Sequence, residues 1–301
     1  MAYDPDLEPI LKDINERLKA VEDRPQADLA PLLARLDALE ARPAALDMDA
    51  IKAALRAWLD DAAPVTPPAP VMPAGFRPLD SFGIDRAQSM NWNNAALSIY
   101  LPTWGVGPES VGKPSLIEYH QDGSATLRAE AGPKDAATGR SWYTGAMQMT
   151  RPKIATGRVG ALIHVTDPSA VAAFFGYADN GKEIDFELTR DKAGVIGWSP
   201  AVHMPKTGGG RVSSTKRVMK RAPLADKPQA LEYDLQSDRC DFYCDGVIFE
   251  TITPADMAAG GTWDTTTGMA QFLSVEHHGG WAGWDYASGK AAMRVYGLRL
   301  P

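Results

Sequence analysis

Glu183, Asp185 and Glu187 stand at alternate positions in the segment EIDFELTR. If that segment is a strand, its two-residue period sends all three carboxyl groups to one face and Ile184 and Phe186 to the other. Three acids on adjacent same-face positions repel, so at least one must hold its proton well above the usual carboxylate range. A carboxylate beside a protonated carboxylic acid is the pair needed to cleave an acetal with retention, one acting as nucleophile and the other as general acid. Glu183 and Glu187 have the reach to meet over Asp185, whose charge would orient the one and help to separate the two pKa values. The bland alternative is a solvated acidic strand, because such a trio arises by chance about once in twenty chains of this length.

Other residue types that suit a polar, ring-shaped substrate lie nearby. Trp281 and Trp284 flank glycines in the loop GGWAGW, Trp142 and Tyr143 are adjacent, and Glu276 and His277 end the apolar run AQFLSVEHH. Aromatic faces stack on sugar rings, although core packing is the default for any one of them. His277 and His278, with Cys240 and Cys244 in a different segment, complete no metal-ligand spacing, so no metal and no cofactor is expected. Four strand residues would hold Cys240 and Cys244 about 13 Å apart, too far for a disulfide.

The elements that must position these residues form a β domain. Short alternating runs, among them SLIEYH, ATLRAE, YTGAMQMT, VGALIHV, ALEYDLQ, CDFYCDGVIFETI and AMRVYGLRL, are punctuated by Gly, Asn, Asp and Pro clusters. Many short strands at that spacing predict a mostly β sandwich or jelly roll over residues 81–301. Short helices are expected only around Pro168–Phe174 and Pro254–Ala259.

The first 80 residues are of another kind. All 27 glycines follow residue 74, and the first 63 residues hold 14 acidic and 8 basic side chains. Leu7, Leu11, Ile14, Leu18 and Val21 recur at steps of four and three, as do Leu29, Leu32, Leu36 and Leu39, the spacing of a coiled-coil seam. ERLKAVEDRP and ARLDALEARP repeat 18 residues apart, each ending in a helix-breaking proline. Residues 1–61 are therefore expected to form short helices of a self-associating α-helical coiled-coil stalk, a trimer by the symmetry common in fibres. Prolines at 64, 67, 68, 70, 73 and 78 make residues 62–80 a semi-rigid linker.

Composition excludes several classes. A net charge of −7 argues against a nucleic-acid binder. No run approaches the roughly 18 apolar residues of a membrane span, so no membrane insertion is expected. The start, MAYDPDLEP, lacks the basic and apolar regions of a signal peptide. Residues 204–221 concentrate Lys206, Arg211, Lys216, Arg217, Lys220 and Arg221. They form either a solvated loop or a basic patch that attracts an acidic polysaccharide.

EIDFE resembles the signature of glycoside hydrolase family 16, the laminarinase, lichenase, agarase and carrageenase group. SWYTGAMQMT with GRVGALIHV, the Phe242-Tyr243-x-Asp245-Gly246 turn, GGWAG and MRVYGLRL follow the family's order. The resemblance implies a concanavalin-like jelly roll over residues 81–301 with Glu183 as nucleophile, Asp185 as supporting acid and Glu187 as general acid/base. It also implies polysaccharide as the substrate, neutral or acidic. Two departures stand out. The hairpin before Phe242 is short and lacks a Trp, and Glu276, His277 and His278 replace small or amide residues. Enzyme, non-catalytic glycan-binding adhesin and purely structural spike or fibre protein all remain open. Stalk, proline-rich neck and sugar-directed tip resemble the plan of phage fibres and spikes. That plan implies a virion protein assembled with other virion proteins in the host cytoplasm and acting outside the cell.

Overall fold

A computed structural model describes residues 70–82, 97–99, 110–214, 219–278 and 280–301. They all belong to the unit Pro68–Pro301. The expected stalk, residues 1–61, lies outside the described residues.

The described residues form two antiparallel sheets packed face to face. The larger sheet runs in the order Val247–Ile252, Cys240–Cys244, Gln229–Leu235, Gly157–Asp167, Lys290–Arg299, Ala125–Ala131, Trp142–Thr144 and Ser110–Gly112, the last pair being parallel. The smaller sheet runs Arg211–Ser213, Ile196–Pro205, Glu183–Arg190, Val171–Tyr177, Met269–Glu276, Ala146–Ile154 and Leu97–Ile99. The fold is the mostly β sandwich expected from the alternating runs. Among the described residues no helix is long and apolar enough to cross a membrane.

The core between the sheets is built from one side of each strand. Ile184, Phe186 and Leu188 are wholly buried, as are Trp198, Val202 and Met204 on the next strand. Phe174 stacks on Tyr233 of the opposite sheet at 5.9 Å between centroids, and Phe186 meets Phe242 edge-on at 5.2 Å. Burying side chains of this size contributes about 1.5–3 kcal/mol each. The polar tips in this layer find partners across it. The Tyr233 hydroxyl donates to Gln271 Oε1 at 2.6 Å and Trp198 Nε1 donates to Gln229 Oε1 at 3.1 Å. Gly176 is obligatory here, because a Cβ would lie 2.5 Å from the Tyr233 hydroxyl oxygen.

Three expectations are corrected. The segment expected to be helical around Pro168–Phe174 is instead the strand Val171–Tyr177, paired on both sides. Its first four residues are all buried, so two neighbouring strands hold it extended whatever its local helical tendency. The second expected helix is only a single 3-10 turn, Pro254–Asp256, capped by the Thr253 hydroxyl and amide on Asp256 Oδ2. The linker ends earlier than residue 80. Phe76–Pro78 pairs with the last strand, Phe76 is buried in a separate apolar cluster with Leu162, Ala230 and Tyr296, and Leu79 is buried in the main core. Both cysteines are free, with Cys240 in the core.

Candidate active site

The Glu183–Arg190 strand is central in the smaller sheet, and its outward face carries the acidic trio. The register sets the neighbours. Glu183 lies between Tyr177 and His203, Asp185 between Phe175 and Ala201, and Glu187 between Ala173 and Ser199. One strand further, Ala270, Phe272 and Ser274 continue the same three rows. Cross-strand partners share a face, so these side chains make one surface. Asp185 is buried and the two glutamates are half-buried.

Each acid has a different environment. Glu183 is ion-paired to Arg211, on the edge strand Arg211–Ser213. Asp185 Oδ2 lies 3.1 Å from His203 Nε2, and His203 Nδ1 lies 2.7 Å from the Ser213 hydroxyl. Burial, with the Glu276 charge adding to it, holds the Asp185 carboxyl well above the usual carboxylate range. Burial likewise pushes Glu187 up to about 8, reinforced by Asp185 and Glu276 and opposed by His278 and His203. Burial lowers the His203 pKa, against an opposing pull from Glu187, so the ring is neutral near pH 7.

Glu276 ends the inner strand, buried among these groups. Ser274 donates to its Oε1, and His278 Nε2 lies 2.8 Å from its Oε2. The His278 ring then meets Trp281 edge-on at 5.5 Å, and Trp281 is 57% exposed. Glu276, His278 and Trp281 thus form a line from the buried acids to solvent.

The other candidates fall elsewhere. Trp284 is a core residue, 7% exposed, with its indole N–H donated to the Leu188 carbonyl at 3.1 Å. Trp142 is buried with its ring stacked on His277 at 4.8 Å, and His277 also packs on Tyr286 at 3.8 Å. These contacts place His277 in an aromatic cluster, and it is His278 that joins Glu276. Thr144 donates across the sandwich to the Val275 carbonyl, so Tyr143, one position away, points out of it. Its hydroxyl donates to the Pro133 carbonyl at 2.8 Å and its ring lies under Lys113.

Three features of this surface were not read from the sequence as site residues: His203, Ser213, and the aromatic group of Phe175, Tyr177 and Phe272, in which Phe175 stacks on Phe272 at 4.9 Å. A strand reading of VAAFFGY would have put Phe175 and Tyr177 on one face. For His203 and Ser213 no local signal exists, because the register with Glu183 brings them in. Among the described residues, the donor atoms of Glu183, Asp185 and His203 lie within 4.8 Å of one another, close enough to approach a cation. A protonated Asp185 would weaken such a site.

No protein-family model matches the sequence, and no curated protein matches it either. Solved structures do. The laminarinase catalytic domain of Thermotoga maritima superposes with a TM-score of 0.52 at 13% identity, over 68% of this chain and 92% of that one. The β-glucanase of Bacillus licheniformis gives 0.51 at 14%, over 70% and 94%. A glycosyl hydrolase family 16 protein of Mycobacterium smegmatis gives 0.50 at 17%, over 68% and 92%. The fold is that of these glycoside hydrolases. At such identities the similarity concerns the fold, and activity has to be argued from the site.

Proposed function

We propose that this chain is a polysaccharide hydrolase of the endo-acting, retaining type. One observation carries the reading. On one strand face an ion-paired carboxylate, Glu183, shares the site with an acid, Glu187, that keeps its proton up to about pH 8. A carboxylate in contact with a cation beside a carboxyl group that holds its proton assigns the roles of nucleophile and acid. Glu183 attacks the anomeric carbon while Glu187 gives its proton to the departing glycosidic oxygen, leaving a covalent glycosyl ester. Glu187, now a carboxylate, takes a proton from water as that water releases the sugar and frees Glu183. Asp185, held by His203, sits between the two.

The test is incubation of the purified chain with β-glucans and bacterial capsular polysaccharides, followed for new reducing ends. Glu183→Gln is expected to abolish their release and to preserve glycan binding. Full activity in that variant would refute the assignment. The Arg211–Glu183 ion pair favours a second reading, a glycan-binding adhesin without turnover, because it occupies the nucleophile. Binding without cleavage in the wild type would select it.

The heptad spacing of residues 1–61 and the prolines that follow support a finer reading, a trimeric phage fibre or spike protein whose tip meets host glycan outside the cell. Sedimentation of the full chain tests the trimer. A monomer would refute it.

A further inference from the structure

Among the described basic residues of 204–221, only Arg211 reaches the acidic trio. Arg221 lies 3.8 Å from Asp191, beside the strand Ala222–Pro223, which pairs at the opposite end of Ile196–Pro205 from Arg211. Lys216 and Arg217 lie outside the described residues, and Lys206 is exposed. The described members of the patch are thus dispersed, and the one among them at the site is engaged with the proposed nucleophile.

That engagement conflicts with turnover. A carboxylate that must attack carbon needs a free lone pair, and the Arg211 Nη1 in contact with Glu183 Oε2 occupies that oxygen and withdraws charge. Arg211 must therefore move, and a cation leaving an anion is poorly compensated unless another anion takes its place. Its setting permits the movement. Arg211 opens a three-residue edge strand and its side chain is 46% exposed. The hairpin tip before it is Gly208-Gly209-Gly210, all three in the left-handed region with open space around them. Pro205, the register partner of Arg211, also lines an open depression of about 420 Å³ with Lys206, Thr207 and Trp263.

We propose that Arg211 is the specificity residue of this site: it receives an anionic substituent, a carboxylate or a sulfate ester, on a sugar bound beside Glu183, and releases the nucleophile as it does so. The chain accordingly selects acidic polysaccharide. This rests on the cleft being the glycan site proposed above. A neutral glucan offers Arg211 no replacement and leaves Glu183 tied.

The experiment measures binding of full-length wild type, Arg211→Gln, Arg211→Lys and Glu183→Gln to polygalacturonate, dextran sulfate and laminarin by affinity electrophoresis, alongside reducing-end release. The wild type is expected to bind at least one acidic polymer more tightly than laminarin, and the two acidic arms tell carboxylate from sulfate recognition. Arg211→Gln should weaken the acidic interaction roughly tenfold and leave laminarin within about twofold. Arg211→Lys, which keeps the charge and loses the fork, should fall between. Glu183→Gln should bind the acidic polymer more tightly than wild type, and the gain should vanish when combined with Arg211→Gln. Equal loss on neutral and acidic polymers, no loss, or no acidic preference in the wild type would overturn the proposal. Acidic-selective binding with no reducing ends would refute the hydrolase reading alone. Hydrolysis of laminarin unimpaired in Arg211→Gln, with no acidic preference, would refute this proposal alone.

Discussion

His203 Nε2 lies 3.1 Å from Asp185 Oδ2, and the same ring is fixed at its other nitrogen by the Ser213 hydroxyl at 2.7 Å. Three strands contribute one residue each to this line, and it holds the central acid of the trio from the side. His203 does not need to touch substrate to matter. Asp185 is buried, so an unsupported carboxyl there would be both mispositioned and costly.

Replacing His203 by Ala should therefore lower kcat by roughly 10²-fold through misplacement of the acids, with a smaller effect on KM. His203→Asn should recover part of the loss. A purely structural role predicts a lower Tm with an unchanged pH profile and kcat in the folded fraction, which would refute this positioning.

On the proposed mechanism the proton on Glu187 sets the alkaline limit. As the general acid it must be protonated, so kcat/KM is expected to fall as pH rises through about 8. The folded pKa lies above the ordinary 4.5, so the folded state holds the extra proton between these values. Stability conferred by the protonated form is complete below pH 4.5 and is lost as pH rises toward 8. Glu187→Gln should remove activity and flatten that stability slope. An alkaline limb near 4.5 in the wild type would contradict the role.

Lys182, next to Glu183, is wholly buried and donates from Nζ to the carbonyls of Ala155 at 2.8 Å and Thr267 at 2.9 Å. Lys182→Met leaves both carbonyls without this donor and should cost about 1–3 kcal/mol for each group left unsatisfied. Burial lowers its pKa from 10.5 to about 8. Here the unfolded chain binds the extra proton, so the contribution of Lys182 to stability should grow as pH rises from about 8 to 10.5. Denaturation of the two proteins across that range measures it, and equal stabilities throughout would count against it.

The two tryptophans of the 281–284 loop should separate cleanly. Trp284→Ala removes a core ring with a bonded indole N–H and is expected to cost about 3–5 kcal/mol of stability. Trp281→Ala should leave Tm unchanged and weaken glycan binding by roughly 0.5–1.5 kcal/mol, the scale of an aromatic stacking contact. A Tm loss at Trp281 without a binding loss would reverse the assignment.

Local pattern was enough to place Glu183, Asp185 and Glu187 on one face, because a strand's alternation depends only on neighbours along the chain. The runs ALEYDLQ and CDFYCDGVIFETI became adjacent strands joined by short turns for the same reason, and the sandwich class followed from their number. What surrounds the trio was decided by pairing between distant segments. His203 and Tyr177 meet Glu183 through the register of two ladders, and Arg211 arrives from an edge strand. VAAFFGY shows how context prevails: its local texture suggested a helix, and two flanking strands made it extended. Trp281 and Trp284 are three residues apart in similar glycine-rich sequence, yet one is exposed and the other lies in the core. That difference comes from the path of the loop over the Leu188 carbonyl, which alternation and composition do not encode. The sequence by itself determined the acids and the layer that carries them. Tertiary packing decided their partners, and so their protonation, because burial and neighbouring charge depend on groups brought together from far along the chain.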